Sequence, residues 1–124
     1  MTDQPTPRPQ ALIVEDDEKL TVIFTQALKQ AGFETETVRN GQDAMDRLAG
    51  ATPTVVVLDL HLPDVSGATI LQNIRKDPRL AKVQVILATA DAAMADAYDA
   101  LADLVLIKPV SFTQLRDLAA RLKT

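Results

Sequence analysis

The chain has 124 residues, enough for one domain with a hydrophobic core, and its hydrophobic fraction of 47% argues against wholesale disorder. It contains no cysteine, which excludes a disulfide framework and disfavours a zinc site. The formal net charge of -4 and the lack of a basic stripe argue against a nucleic-acid surface. No segment has the length of a signal peptide or a membrane span, so we expect a cytoplasmic protein.

Strand-like and helix-like segments alternate along most of the chain. Residues 1–10 are polar and proline-rich, which is typical of a mobile tail, and residues 11–124 are predicted to form one domain. Apolar or alternating runs predict strands over residues 11–14, 33–38, 54–58, 83–88 and 104–107. Amphipathic spacing predicts helices over residues 20–31, 42–49, 67–76 and 92–102, and a fifth helix that Ser111 opens.

This alternation predicts the fold class. Five strands alternating with five helices indicate an α/β protein whose parallel sheet is covered on both faces. The doubly wound, flavodoxin-like order 2-1-3-4-5 is the commonest arrangement of this size. In such sheets the ligand site lies beyond the carboxyl ends of the strands, at the switch point between strands 1 and 3. We therefore expect the functional residues at that edge of the sheet.

Polar side chains follow four of the five predicted strands. They are Glu15, Asp16 and Asp17 after strand 1, Asp59 after strand 3, Thr89 after strand 4 and Lys108 after strand 5. Converging carboxylates repel one another, and a hard divalent cation such as Mg²⁺ would compensate them. A carboxylate beside that cation can act as a nucleophile toward a phosphoryl group. Lys108 and Thr89 would then contact the phosphoryl oxygens.

Together these landmarks resemble the receiver domain of two-component response regulators. The landmarks are Glu15-Asp16, the segment DLHLP over 59–63, Gly67, Thr89-Ala90 and Lys108-Pro109. The resemblance implies that Asp59 accepts a phosphoryl group from the phosphohistidine of a sensor histidine kinase or a histidine phosphotransfer protein. It also implies a cis Lys108-Pro109 peptide bond. Such a domain is not an enzyme, beyond catalysing its own phosphorylation and dephosphorylation, and it signals to a partner or an output domain.

The resemblance also implies a role for each residue of the site. Mg²⁺ would be bound by the carboxylates of Asp16 and Asp59, by the backbone carbonyl of His61, and through water by Glu15. Thr89 and Lys108 would hold the phosphoryl oxygens. Each of these residues also has a simpler interpretation. The acids at 15–17 can lie at the start of a helix, where the helix dipole favours negative charge, and Asp17 is assigned to that role.

The chain departs from the usual family pattern near strand 5. Val105 stands where an aromatic residue is usual, Leu101-Ala102 replaces Gly-Ala, and Val110 replaces a common Phe. Val105 is β-branched and short, so we expect signalling through the Thr89 loop and the start of helix 4 rather than through an aromatic switch. The alternative is a weakly coupled receiver whose unphosphorylated form already resembles the active one.

Three other functions, and the association of the chain with itself, remain open. A haloacid-dehalogenase-like phosphatase would need a second Asp at the position of His61, and a flavin-binding protein would need a phosphate-cradling loop after strand 1. A receiver-like module that only binds partners is a third alternative.

A homodimer through helix 4, strand 5 and helix 5 would oppose acids to bases, namely Asp96, Asp99 and Asp103 to Arg116, Arg121 and Lys123. The chain could be a stand-alone receiver or a piece of a longer regulator.

Overall fold

A computed structural model of the protein describes residues 8–122, and within this range five parallel strands form one sheet in the order β2-β1-β3-β4-β5. This is the predicted fold. The strands are β1 Gln10–Val14, β2 Glu34–Val38, β3 Val55–Leu58, β4 Gln84–Thr89 and β5 Leu104–Ile107. The helices are α1 Glu18–Gln30, α2 Gly41–Gly50, α3 Gly67–Lys76, α4 Ala92–Tyr98 and α5 Phe112–Arg121. Most of the predicted tail, residues 1–7, lies outside the described residues, and Gln10 already belongs to β1.

Two hydrophobic cores lie on opposite faces of the sheet. Val55 and Val57 of β3 face the core that α1 and α5 cover, whereas Val56 and Leu58 face the core that α2 and α3 cover. Because β3 is buried on both faces, its sequence is a continuous apolar run rather than an alternating one. This burial holds the carboxyl end of β3, and the residue that follows it, at the centre of the sheet.

Each of the five helices begins after a polar residue whose side chain accepts a hydrogen bond from a backbone N–H of the first turn. These residues are Asp17, Asn40, Ser66, Asp91 and Ser111. Asp17 accepts from the amide of Leu20 at 3.1 Å, in agreement with its assignment as a helix-start residue. All five helices follow strands of one parallel sheet, so their amino ends lie at the same edge as the carboxyl ends of the strands.

The predicted helix 4 is wrong at its carboxyl end. The α-helix stops at Tyr98, and a single 3₁₀ turn over Asp99–Leu101 follows it. Asp103 therefore lies just before β5 and not on the helix, where its carboxylate accepts hydrogen bonds from Val85 N at 2.7 Å and from Arg75 Nη2 at 2.9 Å. The alanine-rich composition predicted a helix that continues to residue 102. The two hydrogen bonds instead hold Asp103 next to β4, outside the helix.

Candidate functional site

Asp59 is buried, with 6% of its surface exposed, although it directly follows the apolar strand β3. Its backbone N–H donates to the carbonyl of Val14, which continues the ladder between β3 and β1. One carboxylate oxygen, Oδ1, accepts from the amide of His61 at 3.0 Å, and the other, Oδ2, accepts from Lys108 Nζ at 3.0 Å. The buried charge is thus compensated by an ammonium group and a backbone amide.

Lys108 joins two carboxylates of the site. Its Nζ lies 2.8 Å from Glu15 Oε1 and 3.0 Å from Asp59 Oδ2. Burial on its own lowers the pKa of Lys108, but the hydrogen bonds and charges of the two carboxylates outweigh it and leave the pKa raised. Lys108 is therefore a cation held in place by the acids that it neutralises.

Glu15 is the most deeply buried acid of the site, with 1% of its surface exposed. Burial raises the pKa of its carboxyl group, and the hydrogen bond from Lys108 offsets this only in part. The neighbouring charge of Asp59 also raises it. The other oxygen, Oε2, accepts from the amide of Asp17 at 3.2 Å. The raised pKa of Glu15 therefore reflects its burial first and the charge of the neighbouring carboxylate second.

An oxygen-rich cluster fits the predicted metal site. Glu15, Asp16 and Asp59 each offer a carboxylate oxygen, and these atoms lie within 4.8 Å of one another. Asp16 is exposed and faces the solvent side of the site, whereas the other two are buried. Three carboxylates against one lysine leave an excess of negative charge, and Mg²⁺ binds oxygen ligands of this kind. The donor chemistry is therefore suited to Mg²⁺.

Thr89 ends β4 on the strand next to β3 and is fully buried. Its Oγ1 accepts a hydrogen bond from the amide of Asp91 at 3.2 Å, and its carbonyl accepts from the amide of Lys108 at 2.9 Å. The Lys108-Pro109 peptide bond is cis, as predicted. The fold thus brings Glu15, Asp16, Asp59, Thr89 and Lys108 to one edge of the sheet. Asp17 lies instead at the start of α1, where it caps the helix.

Gly67 fixes the loop that follows Asp59. A Cβ atom at this position would lie 2.1 Å from the carbonyl oxygen of Asp59 and 2.6 Å from Cα of Leu60, so no larger residue fits without moving the backbone. The amide of Gly67 donates to the carbonyl of Leu60 at 3.0 Å. The start of α3 therefore packs directly against the backbone of Asp59, and only glycine permits this approach.

Two contacts around the loop over residues 59–66 were not predicted from the sequence. Asp64 accepts hydrogen bonds from the amides of Gly41 at 2.7 Å and Gln42 at 3.0 Å, which lowers its pKa, mainly through Gln42. The ring of His61 contacts Asp91, with Nε2 and Oδ2 3.1 Å apart. Asp91 before an alanine-rich segment was a detectable helix-start signal. Its pairing with His61 depends on tertiary structure, and no local pattern indicates it.

Comparison with known proteins places the chain in a family. Residues 11–120 match the response regulator receiver domain family, and the chain belongs to it. It is 33% identical over 110 residues to the phosphate regulon transcriptional regulatory protein PhoB of Rhizobium meliloti (strain 1021), covering 86% of this chain and 48% of that regulator. It is 34% identical over 85 residues to the polar-differentiation response regulator DivK of Brucella anthropi, covering 68% of this chain and 69% of DivK.

A solved structure agrees with this assignment. The signal receiver domain of a Luxo repressor protein from Vibrio parahaemolyticus superposes with a TM-score of 0.83 at 30% identity, covering 93% of this chain and 89% of that domain. The chain is thus a receiver domain of the two-component response regulator class, and it spans about half the length of the Rhizobium regulator. Across residues 8–122, no helix is both long and apolar enough to cross a membrane.

Proposed function

We propose that the protein is a phosphoacceptor and that Asp59 carries the phosphoryl group. The observation that supports this most directly is the position of Asp59 between Lys108 and two further acids, at the carboxyl edge of the sheet. A structural ion pair would need only one acid and one base. The excess of carboxylates over cations supports a site that takes up a metal ion and an electrophilic phosphorus.

The proposed reaction transfers a phosphoryl group from a histidine nitrogen to the Asp59 carboxylate. The bond from phosphorus to the donor nitrogen breaks, and a bond from phosphorus to a carboxylate oxygen forms. Lys108, held 3.0 Å from Asp59 Oδ2, would turn from the carboxylate to a phosphoryl oxygen and neutralise its charge. The hydroxyl of Thr89 would donate a hydrogen bond to another phosphoryl oxygen.

Mg²⁺ would supply positive charge to the same oxygens, held by the carboxylates of Asp16 and Asp59, the carbonyl of His61 and, through water, Glu15. In this proposal the domain is not an enzyme, beyond catalysing its own phosphorylation and dephosphorylation. Hydrolysis of the acyl phosphate would return Asp59 to its original state and reset the domain.

The relatives suggest the kind of partner. Similarity to response regulators favours a sensor histidine kinase or a histidine phosphotransfer protein as the donor, with an output domain or a separate protein as the receiver of the signal. We propose no direct nucleic-acid contact by this domain, in keeping with the net charge of -4. A cytoplasmic location stays a prediction from the sequence.

The test is phosphorylation by acetyl phosphate in the presence of Mg²⁺. Intact-protein mass spectrometry should show one added phosphate that is stable in acid and labile in base. Asp59→Asn should abolish it, whereas Asp64→Asn, which changes another carboxylate of the same loop, should retain it. Equal phosphorylation of Asp59→Asn would contradict the assignment. Failure of the unaltered protein to react, together with failure to bind Mg²⁺, would favour a module that only binds partners.

A homodimer through α4, β5 and α5 is a second part of the proposal. Asp96 and Asp99 are exposed on one side of β5, and Arg121 is exposed on the other. Asp103 is already bonded to Arg75, and Arg116 contacts Asp117, so fewer charges are free for pairing than the sequence suggested. Lys123 lies outside the described residues. Light scattering with and without beryllofluoride tests the dimer, and a monomer in both states removes it.

A further inference from the structure

Asp16 is held differently from the other two acids of the candidate metal site. Glu15 and Asp59 are buried, and each contacts the ammonium group of Lys108. Asp16 is exposed, so packing does not fix the direction of its side chain. That direction instead depends on the backbone of residues 15–17, which connect β1 to α1 and which we call the β1–α1 turn.

The carbonyl of Asp16 is bound by a side chain from another part of the fold. It accepts a hydrogen bond from Nη2 of Arg39 at 3.1 Å, although 23 residues separate the two along the chain. A peptide unit is planar, and this carbonyl belongs to the unit that begins at the Cα atom of Asp16. A bond that fixes that unit therefore restricts the direction in which the Cα–Cβ bond of Asp16 points.

Arg39 donates from a fixed position in the short connection between β2 and α2. Val38, the last residue of β2, is buried, and its carbonyl accepts a hydrogen bond from the amide of Glu15 at 3.1 Å. Asn40, which follows Arg39, caps α2 and accepts from the amide of Asp43 at 2.8 Å. The backbone of Arg39 is thus held on both sides, and its side chain connects the end of β2 to the β1–α1 turn.

The acceptor of the Arg39 hydrogen bond is the carbonyl oxygen of Asp16, which leaves the carboxylate available for other ligands. An arginine paired with the carboxylate itself would compete with a divalent cation for the same oxygens. A partner that holds the backbone of a ligand residue supports metal binding without taking its donor atoms. The charge of the guanidinium group acts in the opposite direction, because it repels a cation. The two effects predict opposite changes in Mg²⁺ affinity when Arg39 is replaced.

We propose that Arg39 is a positioning residue for Asp16 at the Mg²⁺ site. The inference rests on the proposed function, because it concerns the cation that would assist phosphoryl transfer to Asp59. Arg39 itself touches neither the metal nor the phosphoryl group. It holds the β1–α1 turn so that the carboxylate of Asp16 faces those of Glu15 and Asp59, whose oxygens lie within 4.8 Å of its own. Without Arg39, Mg²⁺ binding must also order the turn, and this entropic cost lowers the affinity.

The experiment titrates the protein with Mg²⁺ in the absence of any phosphodonor and follows the amide resonances of residues 15–17 and 59–61. Arg39→Met removes the donor and the charge but keeps an unbranched side chain. The Mg²⁺ concentration at half-saturation should rise by about 3- to 10-fold, the range expected for one exposed hydrogen bond that orients a ligand. Arg39→Lys keeps a positive charge and a donor, and it should recover part of this loss.

Lys19→Met is the matched control. It removes an exposed cation from the first turn of α1, close to Asp16 in the chain, and leaves the Arg39 hydrogen bond intact. Its half-saturation should be unchanged or slightly lower, because it removes only a charge that repels Mg²⁺. The two methionine variants therefore separate the loss of a nearby charge from the loss of the bond that holds the turn.

The Mg²⁺ dependence of phosphorylation by acetyl phosphate gives a second measurement. If Arg39 only positions a metal ligand, the Mg²⁺ concentration for half the maximal rate should rise in Arg39→Met as the binding constant does. The rate at saturating Mg²⁺ should stay within about 2-fold of that of the unaltered protein, because the ligand set is complete once the ion is bound. A general disturbance of the site would lower that rate as well.

The outcomes separate the inference from the proposed function. If Arg39→Met binds Mg²⁺ as tightly as the unaltered protein or more tightly, the positioning role is wrong and the proposed function stands. A lower rate at saturating Mg²⁺ with an unchanged half-saturation also overturns the positioning role. If the unaltered protein neither binds Mg²⁺ nor accepts a phosphoryl group, the proposed function fails and the inference fails with it.

Discussion

The strands β3 and β5 each end at a charged residue of the site, but they hold that residue in different ways. All four residues of β3 are buried, and the strand lies between β1 and β4. In contrast, β5 is an edge strand on which only Leu106 is buried. Asp59 is therefore positioned by packing on both faces of the sheet, whereas Lys108 extends from a strand that the core holds weakly.

The difference shows how the position of each charge is determined. The backbone of Asp59 is fixed by Val14 on one side and by the close approach of Gly67 on the other. The ammonium group of Lys108 is instead held by Glu15 and Asp59 themselves. The acid is thus preorganised by the fold, while the base is held by charge and can turn to a new anion without disturbing the core.

Gly67→Ala should have the largest effect, because it displaces the residue that packing holds. The added Cβ meets the backbone of Asp59 and Leu60 rather than a flexible side chain, so we expect a loss of about 3 kcal/mol in the free energy of unfolding. The matched control is Gly50→Ala, since a Cβ there meets nothing within 4 Å, and it should be neutral or slightly stabilising. Urea denaturation measures both, and equal values for the two variants would contradict the packing argument.

A second pair of variants compares the two strands directly. Val57→Ala removes two methyl groups from the centre of the sheet and should cost about 2 kcal/mol of stability. Ile107→Ala changes a residue of β5 that is 45% exposed, and the change in stability should stay within about 0.5 kcal/mol. Thermal and urea unfolding give both values. A similar loss at the two positions would show that β5 is held by packing as strongly as β3.

The same contrast explains how far the sequence could predict the molecule. Apolar runs and helical spacing predicted the five strands, and three of the four predicted helix ends lie within a residue of those observed. The commonest order of such sheets predicted the strand order, and with it the set of polar residues at the carboxyl edge. Asp103 shows the limit of prediction from local sequence. Its carboxylate accepts hydrogen bonds from Arg75 and Val85, which are distant along the chain, and these bonds hold it beside β4 instead of on the expected longer helix. The contact of His61 with Asp91 is of the same kind, since 30 residues separate them along the chain.

Lys108→Met tests whether charge holds the base. It leaves Glu15 and Asp59 without their ammonium partner, and we expect a loss of about 1–2 kcal/mol at neutral pH. The pKa of Glu15 is already raised from 4.5, so its ionised form opposes folding at higher pH, and this cost disappears as Glu15 becomes protonated. The difference in the free energy of unfolding between the unaltered protein and Lys108→Met should therefore become smaller as the pH falls toward 4.5. A deficit that does not change with pH would indicate lost packing of the lysine stem instead.

The smallest response is expected at Val105, on the weakly covered strand. Because its side chain is short and restricted to one main rotamer, beryllofluoride binding to the Mg²⁺-bound protein should change its amide resonance little. The amides of residues 90–93, which connect Thr89 to the first turn of α4, should change most. The two sets are compared in one amide spectrum, so each serves as the reference for the other. If the dominant change falls at Val105 and along α5, the edge strand carries the signal, and the contrast between a fixed central strand and a passive edge strand holds for stability but not for signalling.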